Sequence, residues 1–325
     1  MGDYMGMDLM QVIKKTIFWR VLRKIRNVLR ETKQKLSAPP HKIPAKLKRD
    51  FTMNEKIHVC YNYYDSRVSN SLKNTRQTYE DVFSLLDSKQ FKYYDNDGWS
   101  FYDAFENYTL KDKTVLIFGL AGCNCEAMAV WKGAKKVYVV DYNKPICEHE
   151  KIEVLTHAEL SKSGLKFDIG ISFSSFEHDG LGRYGDPIAP DGDLKAMRYA
   201  KSLIAEDGLL FLGVPMGKDC LVWNTHRIYG AIRFPILIKD WLCQDVYHKN
   251  SVELFNAPQS SYCQPLVVLR NVSEVKESDF SERLNHAKDL QKQGKASGGG
   301  SGGTRDGMLL EYILSMQITE YRTNN

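Results

Sequence analysis

Between residues 113 and 214 the apolar positions come in short unbroken runs, each closed by glycine or charge: KTVLIF, KKVYVV, FDIGISF and LLFLGV. Runs of this length, rich in β-branched residues and lacking polar alternation, suit strands buried on both faces of a parallel sheet. They predict strands at 113–118, 135–140, 167–173 and 209–214, with a weaker one at 152–156. Helical spacing fills the gaps, first through Glu126, Met128 and Trp131 and again over 193–205. Strand alternating with helix predicts an α/β fold, a Rossmann-like, doubly wound and mostly parallel sheet. Two last apolar runs, 252–255 and 266–269, flank the turn residues Asn256, Pro258 and Ser260 and predict a closing antiparallel hairpin.

The flanks follow other patterns. In residues 10–36, Phe18, Leu22, Ile25 and Leu29 recur at helical spacing while Lys14, Lys15, Arg23, Lys24, Arg26 and Arg30 fill the remaining faces, giving an N-terminal helical arm. Pro39, Pro40 and Pro44 then predict an extended linker. Residues 51–110 are rich in tyrosine, with helices expected at 71–86 and 99–108, and read as packing for the core or as a lid. Near the other end, SGGGSGG at 297–303 is a flexible tether, natural or engineered. Met308, Leu309, Ile313, Leu314 and Met316 beyond it make an amphipathic helix too short to stand alone, expected to dock in a groove of this chain or another. The expected organisation is therefore arm and linker (1–50), aromatic-rich subdomain or lid (51–110), Rossmann-like domain (111–272), charged tail with tether (273–303) and tethered helix (304–325).

The chain has 325 residues, 43% of them hydrophobic, enough to build a large core. Its net charge of +5 is unevenly placed: residues 1–50 hold 13 Lys and Arg against 4 Asp and Glu, and the remainder is slightly acidic. The body thus carries no basic footprint for nucleic acid. The arm alone suits an anionic membrane surface, a protein groove or RNA phosphates. Seven cysteines with no CxxC pair read as reduced thiols, and Cys123, Cys125 and His149 lack the spacing of a metal site. No apolar run approaches 18 residues, and basic residues interrupt the only candidate leader, so the expectation is a cytoplasmic or peripheral membrane protein.

Candidate chemistry lies where strands end. Ligands of open α/β sheets bind outside the carboxyl ends of the strands. After the first strand comes Gly119-Leu120-Ala121-Gly122, and Asp141 closes the second strand 22 residues beyond Gly119, the placement of a carboxylate that binds a ribose. The fourth strand runs into SSFEHDGLGRYGDP, which packs Glu177, His178, Asp179, Arg183, Tyr184 and Asp186 between three glycines. A second polar cluster, WNTHRIYG, holds His226, Arg227 and Tyr229.

The order VLIFGLAG, VVDYN, FDIGISFSSFEH and EDGLLFLGVP resembles the class I S-adenosylmethionine-dependent methyltransferases over residues 113–270. SFSSFEHDGLGRYGDP, GDLKAM and WNTHRIYG are more narrowly similar to a nematode-expanded family of unknown function placed among methyltransferase-like folds. The resemblance implies S-adenosylmethionine as cofactor, bound by the loop Gly119, Ala121 and Gly122, by Asp141 on the ribose, and by Ser174 and Ser175 under the reactive methyl. A small or carbohydrate-like hydroxyl acceptor would then be positioned by Arg183, Tyr184, His226, Arg227 and Tyr229. His178 would be the general base, oriented by Glu177 or Asp179. Ile117 stands where most class I enzymes have an acid, and the glycine pattern is G-x-x-G. Two other readings therefore stay open: a catalytically inactive scaffold acting through its arm and C-terminal helix, and a nicotinamide-dependent oxidoreductase.

Overall fold

The computed structural model describes residues 38–67, 72–91, 98–120, 122–248, 261–296 and 305–324. The arm at 10–36, Ala121, the strand expected at 252–255 and the SGGGSGG tether lie outside the described residues. In chain order the first half holds β1 (His58–Asn62), α1 (Arg76–Asp87), α2 (Gly98–Asn107), β2 (Thr114–Phe118), α3 (Cys125–Trp131), β3 (Lys136–Val140), β4 (Ile152–Leu155), α4 (His157–Ser163) and β5 (Phe167–Phe173). The second half holds α5 (Gly192–Leu203), β6 (Ile204–Gly213), β7 (Cys220–Asn224), β8 (His226–Ile228), α6 (Phe234–Ile238), β9 (Leu242–Tyr247), β10 (Leu266–Arg270), α7 (Glu277–Ala296) and α8 (Gly307–Asn324).

Seven strands form one sheet in the order β9-β10-β6-β5-β2-β3-β4. The five from β6 to β4 are parallel, and β10 enters antiparallel to both β6 and β9. The chain winds from β2 outward to β4, then returns to the other side of β2 at β5, so the doubly wound fold has its switch point between β2 and β5. Side chains alternate across the sheet. Val115 and Ile117 pack under α1, α2 and α3, while Leu116 and Phe118 belong to the opposite core with α5, α6 and α8. Both faces are covered, which is why the strands read as continuous apolar runs.

Packing departs from the expectations at the outer hairpin strand and at the proline stretch. The outer hairpin strand is Leu242–Tyr247, whose apolar pattern is broken by a bulge at Gln244 and by Asp245, a buried carboxylate paired with His286 at 2.8 Å and Arg305 at 3.1 Å. The WNTHRIYG cluster lies on strands: β7 and β8 pair there, and β1 joins β7 in parallel. The proline stretch does not stand off as a linker, because Trp223 Nε1 donates to Pro40 O at 2.9 Å, Tyr63 to Pro39 O at 2.9 Å, and Ile43 joins Phe51, Ile57, Leu221 and Trp223 in a small core. Within the aromatic-rich stretch, α1 and α2 pack as a helical layer on the sheet, the first of the two readings, with Phe101 5.1 Å from Phe173 and Phe105 5.4 Å from Phe211. At the far end α8 lies in the same core as Phe234 and Trp241, with Leu310, Ile313 and Leu314 fully buried. Among the described residues no helix is long and apolar enough to cross a membrane.

Candidate functional site

At the switch point β2 ends on Phe118 and the chain turns at Gly119 with φ of 74°. A Cβ added there would meet Ser175 Oγ at 2.6 Å, so glycine lets two strand ends approach one another. The turn is fastened across to β3: Gly119 N donates to Val140 O at 2.8 Å, and Leu120 N donates to the Asp141 carboxylate at 2.8 Å. The other Asp141 oxygen accepts from Asn143 N at 2.7 Å. Burial raises this carboxyl above its ordinary range, and those backbone amides oppose the shift.

Beyond β5 the backbone takes φ of 54° at Ser174 and then a short 3-10 turn over Phe176–His178. A left-handed serine at a strand end is a strained conformation of the kind found at binding sites. The Glu177 carboxylate is fully buried, and neither oxygen makes a hydrogen bond within the described residues. Burial pushes it up to about 7. His178 Nδ1 donates to Thr225 O at 2.6 Å, which leaves Nε2 as the lone-pair nitrogen, 3.6 Å from Glu177 Oε1. Burial, reinforced by Arg183, His226 and Arg227, lowers the imidazole to about 3 and keeps it neutral. Asp179 is held well above the carboxylate range, first by burial and then by Asp186. Asp186 staples the loop, accepting from Gly180 N at 2.8 Å, Gly182 N at 2.9 Å and Tyr184 N at 3.2 Å. Gly180 is required, because at φ of 85° an added Cβ would land on the Ala189 carbonyl oxygen.

These ends open on one cavity of 480 Å³ lined by Gly119, Asp141, Ser174, Ser175, His178, Asp179, Tyr184 and Asp186 among others. The second polar cluster is placed differently. Arg227, 3% exposed, lies under the loop and donates to the carbonyls of Glu177 at 3.3 Å and Asp179 at 2.6 Å. Tyr229 donates to the buried Asp193 at 3.0 Å, and Arg233 grips Asp193 with bonds of 2.6 and 2.8 Å. Arg227 and Tyr229 therefore hold the loop and do not line the cavity. Arg183 sits between the rings of Tyr64 and Tyr184, 5.0 Å from each, and His226 is 6.3 Å from His178 with its Nε2 buried and without a hydrogen bond. Neither lines the cavity.

The cavity also takes in residues that the sequence reading passed over: Tyr142, His157, Lys195 and Tyr199. Tyr142 follows Asp141, and its ring lies tilted at 42° to that of His157 with 4.9 Å between centroids; His157 begins α4 just past the end of β4. The strand-end rule that singled out Asp141 would have reached both. Lys195 and Tyr199, one helical turn apart on α5, carried no such signal. Among the described residues no group of His, Cys, Asp and Glu is placed to hold a metal ion.

The family model described as Caenorhabditis protein of unknown function, DUF268, matches residues 112–264. No curated protein matches the chain. Among solved structures, the chain is similar to the Burkholderia thailandensis 1,6-didemethyltoxoflavin-N1-methyltransferase with bound 1,6-didemethyltoxoflavin and S-adenosylhomocysteine, at 14% identity and a TM-score of 0.39, over 65% of this chain and 99% of that one. It is also similar to the N-methyltransferase NodS from Bradyrhizobium japonicum, at 15% identity and a TM-score of 0.36, over 59% and 97% of the two chains. For TehB from Haemophilus influenzae the values are 14% and 0.35, over 58% and 66%.

Proposed function

We propose that this chain transfers a methyl group from S-adenosylmethionine to a hydroxyl of a small polar or carbohydrate-like acceptor. The observation that carries the reading is convergence: Gly119, Asp141, Ser175 and His178, from three strand ends, meet on one cavity at the switch point. The residues fit the cofactor. Glycine at 119 lets the turn close against Ser175 with no side chain between them, and each Asp141 oxygen has a lone pair for a ribose hydroxyl besides the one that accepts Leu120 N or Asn143 N. The face of Tyr142 is suited to an adenine ring. A cavity of 480 Å³ holds little more than one nucleoside-sized ligand, so the acceptor is small or reaches in past Tyr184.

When bound, S-adenosylmethionine supplies an electrophilic methyl group on a sulfonium. The chain orients the acceptor and takes up its proton. His178 offers Nε2 as hydrogen-bond acceptor to the incoming hydroxyl. An imidazole lowered to about 3 is too weak to ionise a resting alcohol. It suffices late in the transfer, when the oxygen gains a bond to carbon and its proton becomes strongly acidic. Glu177, 3.6 Å from Nε2, then steadies the imidazolium once it is itself ionised.

Calorimetric titration with S-adenosylmethionine, S-adenosylhomocysteine and NAD tests the reading. Binding of the first two alone is expected; NAD in their place would indicate an oxidoreductase, and no binding would sink the proposal. Ile117, 2% exposed and packed under the helical layer, favours the inactive-scaffold reading. Cofactor binding without labelled methyl transfer to any polyol would decide for it.

A further inference from the structure

His178 is fastened to a part of the chain more than a hundred residues away. Asn224, fully buried, uses its side-chain amide as a strand rung: Oδ1 accepts from Tyr64 N and Nδ2 donates to Tyr64 O, both at 2.9 Å. Next to it, Thr225 Oγ1 donates to Asn62 O at 2.5 Å. The carbonyl of Thr225 is the group that receives His178 Nδ1, and Arg183 donates to the same oxygen at 3.4 Å while Ser66 N donates to the Arg183 carbonyl at 2.9 Å. Residues 62–66 thus fix one carbonyl oxygen from two sides.

A carbonyl only accepts, so an imidazole bonded to it through Nδ1 must carry its proton there. A free neutral imidazole prefers the proton on Nε2, and which nitrogen holds it follows the bond made by the other. The groups facing His178 do not compete for that choice. Arg183, Arg227 and His226 disfavour its cation, the Tyr184 ring lies edge-on at 5.4 Å, and Glu177 at 3.6 Å is beyond hydrogen-bond reach of Nε2.

We propose that Asn224 and Thr225 are positioning residues: docked on residues 62–64, they hold the Thr225 carbonyl against His178 Nδ1 and keep the ring in its Nδ1–H tautomer, with the Nε2 lone pair open to the cavity. An Nε2–H ring would donate to the acceptor hydroxyl and could take no proton from it. The catalytic consequence rests on the methyl-transfer reading above; the tautomer rests on geometry alone. The stretch at 39–66 is on this account part of the site, although it contributes no side chain to the cavity wall.

The tautomer is read directly by long-range proton–nitrogen correlation on the whole chain labelled with 15N-histidine, with His178 assigned by the signals lost in His178→Gln. The expected parent spectrum shows Nδ1–H alone throughout about pH 6 to 8. Thr225→Val removes the hydroxyl at nearly constant volume and should mix in the Nε2–H form, while Thr225→Ser should restore the parent pattern. Tyr64→Pro, at a half-exposed position, removes the N–H that Asn224 Oδ1 accepts together with the ring against Arg183 and should give a partial shift, while Tyr64→Ala, which removes the ring alone, separates the two. With an active preparation, Thr225→Val should lower kcat about tenfold or more at unchanged KM for S-adenosylmethionine. A parent ring carrying its proton on Nε2 overturns the proposal even where no variant folds. So does a folded Thr225→Val that keeps the parent spectrum. An Nδ1–H parent that binds no S-adenosylmethionine supports this inference and removes only the methyl-transfer reading.

Discussion

The two sides of the cavity are built by different means. On the β2–β3 side the links are local and use backbone donors: Gly119 N bonds to the Val140 carbonyl at the end of the neighbouring strand, and Leu120 N to the Asp141 carboxylate, 21 residues on. On the β5 side, buried side chains hold a loop that would otherwise have little reason to keep its shape. Arg227 reaches back 50 and 48 residues to the carbonyls of Glu177 and Asp179, and Arg233 reaches 40 residues to Asp193. The first side should tolerate loss of a charged side chain, and the second should not.

The largest expected effect tests this directly. Asp193→Ala strands two buried guanidinium groups, a loss worth about 3–5 kcal/mol where one partner of a buried pair is removed. Denaturant unfolding should show it, and a cost below about 1 kcal/mol would place the loop's support elsewhere. Next come two matched glycine changes. Gly180→Ala drives a Cβ into backbone at positive φ and should cost about 1–3 kcal/mol or more. Gly119→Ala, also at positive φ, meets side chain rather than backbone, with Ser175 Oγ at 2.6 Å and Cβ at 3.1 Å, so it should cost less, about 1 kcal/mol, while weakening S-adenosylhomocysteine binding. Equal destabilisation by the two would erase the contrast.

A third change acts on affinity and, more weakly, on the turn. Asp141→Ala should cost roughly 1.5–3 kcal/mol of cofactor binding, a ten- to hundredfold loss, and on the order of 1 kcal/mol of stability because Leu120 N and Asn143 N lose their acceptor. His178→Ala should leave that affinity nearly intact, and titration calorimetry on both separates binding from proton transfer.

The last effect is spread over pH as a slope. Because Glu177 is raised to about 7 in the folded state, the folded chain keeps a proton that the unfolded chain releases, and stability falls as pH rises from the ordinary glutamate range to about 7. Above that it levels off. His178 contributes the opposite trend, losing stability as pH falls below its ordinary range toward about 3. Glu177→Gln should flatten the first slope, by at most about 1.4 kcal/mol per pH unit, in melting curves taken over that window. The buried Glu126, also raised to about 7, leaves a residual fall in the variant.

Phe167–Phe173 was legible to the residue, and the other central strands to within a few, because a strand covered on both faces must be apolar throughout. Gly119 and Asp141 were legible for a related reason: in a parallel sheet the residue after a strand is the residue at the ligand edge. Where a buried polar group takes part in the packing, pattern fails. Gln244 and Asp245 hid β9, whose carboxylate is neutralised by His286 and Arg305 from beyond residue 280. Arg227 and Tyr229 looked like ligand contacts because a charged or phenolic group in a glycine-rich neighbourhood is usually exposed.

The sequence by itself therefore determined the alternation of strand and helix behind the doubly wound sheet and the two residues, Gly119 and Asp141, that follow its strand ends. Only the tertiary structure decided that the proline stretch and α8 belong to the body, that the WNTHRIYG cluster is mostly scaffold, and that His178 Nδ1 bonds to the Thr225 carbonyl. Burial on two faces and turn conformation are local demands, written in adjacent residues. The partner of a buried arginine, or the carbonyl that fixes an imidazole tautomer, is supplied by whichever distant segment the fold brings near, and no local pattern encodes it.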